Sequence, residues 1–155
     1  MRVELAEPRT EEEFEDYYRL RYERLRQQHG LPPGSERNHP AEAGSSHLVA
    51  KAGGRIVGAA CWAVGVRTGQ TSGGRELYVR FRQLAVQEEF DGRGIGIVLT
   101  REIERVARSL GAKEIVANVR LDHVSYFEHM GYVVHGKGET LFGDVEHMSM
   151  VKPLG

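Results

Sequence analysis

Cysteine, net charge and long apolar runs are all scarce in this 155-residue chain, and each shortage removes a class of protein. The single cysteine, Cys61, excludes an internal disulfide, and it lies in the apolar run 56–66 instead of among metal-ligating residue types. No metal site is expected. With 21 basic and 22 acidic residues the formal net charge is -1, so no overall field draws the chain to nucleic acid or to a membrane surface. Any anion binding must then be local. No apolar stretch approaches the roughly 20 residues of a membrane span, and residues 1–8 lack the apolar core of a signal peptide. A reduced, cytoplasmic setting is the expectation. The length suits one domain over residues 1–155, since domains most often run about 100 to 150 residues.

What is present is a regular alternation of strand and helix signals. Residues 2–6 read as a first strand. Thr10, followed by three glutamates, is a helix start whose hydroxyl caps and whose acids face the dipole, and the helix should run to about Gln28 before His29-Gly30 and Pro32-Pro33 end it. Residues 30–46 show no period; they either shape a site or simply connect. Residues 47–52 and 55–66 are apolar and β-branched, with Gly53-Gly54 as a two-residue hairpin turn between them. A Gly/Thr/Ser turn at 67–74 leads to a strand at 76–86, where Leu77, Val79 and Phe81 alternate with Glu76, Tyr78, Arg80 and Arg82. A helix follows, with Ile95, Val98, Leu99, Ile103, Val106, Ala107 and Leu110 as its stripe and Gly111 as its stop. The strand at 114–119, reached through that helix, should pair in parallel with the one before. A short helix at 122–130, capped by Asp122 and stopped by Gly131, and strands at 132–135 and 146–152 around a loop at 136–144 complete the chain. The fold class is α/β (α+β): a central mixed sheet of six to seven strands with helices on both faces.

The densest chemistry lies at Gly92-Arg93-Gly94-Ile95-Gly96. Glycines let backbone approach a ligand closely, and the helix that follows presents unpaired N–H groups and a positive dipole end, so diphosphate is the natural guest. Glycine-rich turns also serve only to pack a helix on a strand. The P-loop lysine and hydroxyl pair is missing, and a dinucleotide fingerprint belongs on an early strand, whereas this turn follows the fourth.

Leu84-Ala85-Val86 followed by Gly92-Arg93-Gly94-Ile95-Gly96, together with Tyr126-Phe127-Glu128-His129-Met130-Gly131-Tyr132, resembles the GNAT acyltransferase superfamily, and the element order matches over nearly the whole chain. The resemblance implies an enzyme that moves an acetyl group from acetyl-coenzyme A directly to a small-molecule or peptide amine, with no metal, no nucleic acid, no membrane and a homodimer as the assembly. It gives Leu84, Ala85 and Val86 to the pantetheine arm as an added strand, the N–H groups of Arg93, Gly94, Ile95 and Gly96 to the diphosphate, and further cofactor contacts to Gly92, Arg120 and Phe127. A longer acyl donor and a coenzyme A binding module without catalysis stay open as alternatives.

Three departures from the family pattern bear on function. Asp91 stands where a basic or amide side chain is usual, and Arg120 where an asparagine often helps hold pantetheine. Phe127 aligns with the tyrosine proposed to protonate the departing thiolate, and phenylalanine has no proton to donate. Replacements are His123, one helical turn earlier, and the adjacent Tyr126, which points about 100 degrees away and reads as core. As base, Glu76, His47 or ordered water can serve. Arg80 and Arg82 either pair with acids such as Glu146 or suit an acceptor bearing a carboxylate or phosphate.

Overall fold

The computed structural model describes residues 2–68, 74–142 and 144–155. Its elements are β1 (Glu4–Ala6), α1 (Glu11–Leu25), β2 (Ser46–Ala52), β3 (Arg55–Thr68), β4 (Arg75–Val86), α2 (Ile95–Ser109), β5 (Glu114–Arg120), α3 (Val124–His129), β6 (Val133–Lys137) and β7 (His147–Pro153). The strands form one mixed seven-stranded sheet in the order β1-β2-β3-β4-β5-β7-β6. Internal contacts divide the chain into two units, Met1–Trp62 with Gln83–Glu102, and Ala63–Arg82 with Ile103–Gly155. Most of the expected turn at 67–74 lies outside the described residues.

In the first unit, Thr10 and Glu13 form a full capping box at the start of α1. The helix stops at Leu25, earlier than expected, because a tighter turn at Gln27–His29 takes over and Gly30 closes it at φ 72°. Gly53 and Gly54 both adopt positive φ, so the β2–β3 hairpin turns with the twist its strands require. Tyr17, Leu20, Val49, Ile56, Ala59 and Ala85 make the core. A Cβ on Gly58 would lie 2.8 Å from Ile95 and 2.9 Å from Leu99. Glycine there lets the first turns of α2 settle directly onto β3.

In the second unit, β4 and β5 pair in parallel from Val79↔Ile115 to Phe81↔Ala117, as the helical crossover demands. Ile115, Ala117 and Val119 are buried with Ile103, Ala107, Phe127 and Met150. Helix α2 ends in a Schellman turn, with Ala112 N–H donating to Ala107 C=O and Gly111 N–H to Arg108 C=O. Of its expected stripe, Val98 and Leu110 are exposed. The buried carboxylate of Glu104 accepts from the Tyr132 hydroxyl at 2.9 Å and from Lys152 Nζ at 3.1 Å, tying helix to strand. Asp122 does not cap α3: residues 121–123 form a 3-10 turn, and the Asp122 carboxylate is taken by Arg120.

Candidate functional site

The glycine loop of the first unit is built from backbone. Gly92 and Gly94 adopt φ of 76° and 80° with open space where a side chain would project. The first intrahelical bond of α2 runs from Val98 N–H to Gly94 C=O at 3.1 Å. The N–H groups of Ile95, Gly96 and Ile97 therefore precede any intrahelical acceptor and stand at the positive end of a 15-residue helix. Arg93 is exposed, its guanidinium 5.2 Å from the centre of the Phe90 ring.

Two arginines of the first helical region, invisible as site residues in the sequence, shape the approach to this loop. Arg24 Nη2 lies 3.2 Å from an Asp91 oxygen, with Glu88 at 3.8 Å from its Nη1. The acid that stands against anion binding at position 91 is thus compensated by a cation from α1. Arg26, buried, donates to Gln83 Oε1 at 2.8 Å. Gln83 has φ 60°, a left-handed conformation that costs a non-glycine residue about 1–3 kcal/mol and persists only where its surroundings enforce it. It falls immediately before Leu84, Ala85 and Val86, so the backbone given to pantetheine enters from a kink held by a side chain.

Residues 31–45 are fastened to α1 by a buried polar cluster. Arg21, with no side-chain exposure, grips both oxygens of Glu42 at 2.8 and 2.9 Å and donates to the Glu36 carbonyl at 2.9 Å. Burial would raise the Glu42 carboxyl, but the hydrogen bond and charge of Arg21 outweigh it and hold the group at about 2. Burial and the hydrogen bond to Glu42 push the Tyr18 hydroxyl up to about 12. His47, a candidate base, has its Nδ1 2.6 Å from the buried Tyr17 hydroxyl and belongs to this cluster.

In the second unit, Arg120 forks onto both Asp122 oxygens at 3.1 and 2.7 Å. Its hydrogen bond lowers the Asp122 carboxyl. Phe127 is buried among Phe81 at 6.1 Å and Tyr132 at 5.2 Å between ring centres. Tyr126 is 38% exposed, so it is a surface residue and not core. His123 is exposed too, and because it sits in the 3-10 turn it does not share Phe127's buried face. Glu146 lies outside β7 and is exposed; Arg82 is buried, so the fourth strand's polar face is not uniformly solvated.

The residue that sequence reasoning missed here is His147. It is 4% exposed and pairs with Arg120 across the β5–β7 ladder. Its Nδ1 lies 2.9 Å from the Val145 carbonyl, which can only accept, so Nδ1 carries the proton and the neutral ring keeps its lone pair on Nε2. Burial lowers its pKa below 6.5. A histidine fixed in one tautomer and kept neutral is equipped to accept a proton. The loop after β6 is pinned nearby: Asn118 accepts from the Glu139 N–H at 3.0 Å, and a Cβ on Gly138 would fall 1.9 Å from Asn118 Oδ1.

These features coincide with a match to the Acetyltransferase (GNAT) family over residues 4–132. The chain belongs to this family. The uncharacterized N-acetyltransferase YjcF of Bacillus subtilis is 24% identical over 144 residues, 93% of this chain and 95% of that protein. The GNAT fold is shared with an acyl-CoA N-acyltransferase from Pseudomonas aeruginosa, at TM-score 0.73 and 17% identity over 97% of this chain and 98% of that one. It is shared also with a GNAT family acetyltransferase from Elizabethkingia anophelis crystallised with acetyl-CoA bound, at TM-score 0.74 and 15% identity over 98% of each chain. Acyl transfer from an acyl-coenzyme A is the chemistry of the GNAT family, and the open glycines Gly92 and Gly94 with the N–H groups of Ile95, Gly96 and Ile97 fit its diphosphate.

Proposed function

We propose that residues 1–155 form a single-domain N-acetyltransferase that uses acetyl-coenzyme A and a small-molecule or peptide amine, works in the cytoplasm as a homodimer, and needs no metal. The observation that carries this reading is the helix start at 92–97, two positive-φ glycines leading into unsatisfied N–H groups, within a GNAT chain. When bound, acetyl-coenzyme A supplies an activated acyl thioester. Leu84, Ala85 and Val86 hold the pantetheine through backbone hydrogen bonds, Gly92, Gly94, Ile95 and Gly96 take the diphosphate, and Arg93 adds charge beside it. Arg120 and Phe127 complete the coenzyme contacts, Arg120 through a guanidinium that Asp122 already orients. His147 receives the proton of the attacking amine at Nε2. His123 returns one to the departing thiolate, with Tyr126 as its neighbour on the same segment.

Phe127 favours a second reading, a coenzyme A binding module without turnover, because it removes the usual proton donor. Thiol release from acetyl-coenzyme A against pools of amines separates the two. Turnover that falls about a hundredfold in His147→Gln, with the acidic limb of the wild-type rate profile below pH 6.5, supports the enzyme and its base. Coenzyme binding without thiol release from any amine would establish the module, and failure to bind the coenzyme would end both readings.

A further inference from the structure

The second unit contains a cavity of about 280 Å³ that none of the coenzyme residues lines. Its apolar wall is Val66, Val116 and Val151. Its polar groups are Arg67, Arg80, Tyr78, Glu114 and His135. The volume lies just below the range of drug-sized ligand sites, which run from about 300 Å³ upward, and so suits a smaller molecule.

Several features hold these groups in place. The Tyr78 ring lies so close over Gly65 that a Cβ there would fall 2.2 Å from it, so only glycine admits the phenol. The Arg67 guanidinium stacks 4.4 Å from the centre of that ring and is also paired with Glu114. His135 occupies a bulge: Val134 pairs with Met150 and Gly136 with Ser149, leaving the histidine as the extra residue. Bulges of this kind re-aim a side chain. Arg80, half-buried and paired with Val116 of β5, holds its guanidinium over the Tyr78 ring, 6.0 Å from the centre.

Counting its arginines and its glutamate, the lining carries two positive charges and one negative, and Arg67 and Glu114 answer each other. One guanidinium is left over, which matches a monoanion better than a phosphate dianion. Three valines match an aliphatic body. Arg120↔His147 and Val116↔Val151 are direct pairs of one antiparallel ladder, so His147 lies on the cavity's face of β7, four residues or about 13 Å along the strand from Val151.

We propose that this cavity holds the carboxylate end of the acceptor, so that the enzyme selects aliphatic ω-amino acids, whose chain separates carboxylate from amine, over amines that lack a carboxylate. Arg80 forks onto the carboxylate, the Tyr78 hydroxyl donates a further hydrogen bond, and the valines cover the aliphatic chain. The amine then extends along β7 toward His147. The word acceptor rests on the acyltransferase reading, whereas carboxylate binding does not.

Calorimetric titration without acetyl-coenzyme A tests the site directly, with 6-aminohexanoate and hexylamine as the probes. The acid should bind at least about tenfold tighter than the amine, and Arg80→Gln should erase that difference while leaving acetyl-coenzyme A affinity unchanged. Tyr78→Phe, which keeps the ring over Gly65, should weaken the acid about threefold. Equal binding of the two probes, or an Arg80→Gln protein that binds the acid as well as wild type, overturns the proposal. If the wild-type protein binds no coenzyme, the transferase reading fails, and the two titrations still decide whether the cavity takes a carboxylate.

Discussion

Two places in this molecule are suited to anions, and they are built in opposite ways. The loop at 92–97 uses contiguous backbone, where two glycines and a helix start supply donors with no side chain required. The cavity around Arg80 uses side chains from β3, β4, β5, β6 and β7, brought together by strand pairing. The first is less sensitive to its neighbours than to any side chain at its glycines. The second depends on each side chain finding its place and on Gly65 leaving room for the Tyr78 ring. Local and assembled features should therefore fail differently.

The largest effect is expected from Gly94→Val, because position 94 holds φ 80° and a β-branched residue cannot stay there without strain. Affinity for acetyl-coenzyme A by calorimetry should drop about a hundredfold or more. Affinity within a factor of three of wild type would show that the donors do not come from this backbone. Next is Glu42→Gln, which leaves the buried Arg21 without its counter-charge and should cost about 3 kcal/mol in denaturant unfolding. The same carboxyl sets an acid dependence. Its pKa is about 2 in the folded chain against 4.5 ordinarily, so its contribution is full above about pH 4.5 and is lost as the pH falls toward 2. Wild type should lose more stability than Glu42→Gln across that window; parallel curves would remove the pair from the stability of the fold.

A smaller effect sharpens the same contrast at the loop itself. Arg24→Ala exposes the Asp91 charge and should weaken acetyl-coenzyme A binding about tenfold, or 1.4 kcal/mol, with most of the loss recovered in Arg24→Ala/Asp91→Asn. Additive effects of the two changes would mean that the arginine contributes something other than compensation. The smallest is Thr10→Ala, which removes a purely local cap and should lower unfolding free energy by about 1 kcal/mol without altering any ligand affinity.

Much of the architecture was legible because its signals are short in range. The capping box, the Gly53-Gly54 turn, the parallel β4–β5 pairing and the stops at Gly111 and Gly131 each follow from a few neighbouring residues and were expected. The misreadings came where a competing contact outbid the expected local rule. Asp122 reads as a cap, but the Arg120 guanidinium two residues away is a stronger partner than a backbone N–H. Tyr126 reads as core, yet α3 is only six residues long and buries Phe127, leaving Tyr126 at the surface. Arg24, Arg26 and Arg21 carry no site signal in the sequence, because nothing nearby in it announces Asp91, Gln83 or Glu42 as their partners.

The sequence by itself determined the family, the mixed sheet and the place of the glycine loop, since backbone donors at a helix start need only glycines at the right spacing before an amphipathic stripe. Tertiary structure alone decided which charges meet. It set Arg24 against Asp91, Arg26 against Gln83 and Arg21 against Glu42, and collected Arg80, Glu114 and His135 around one cavity. The reason is that a guanidinium or an imidazole takes its role from partners within a few ångströms, and folding chooses those partners from anywhere in the chain.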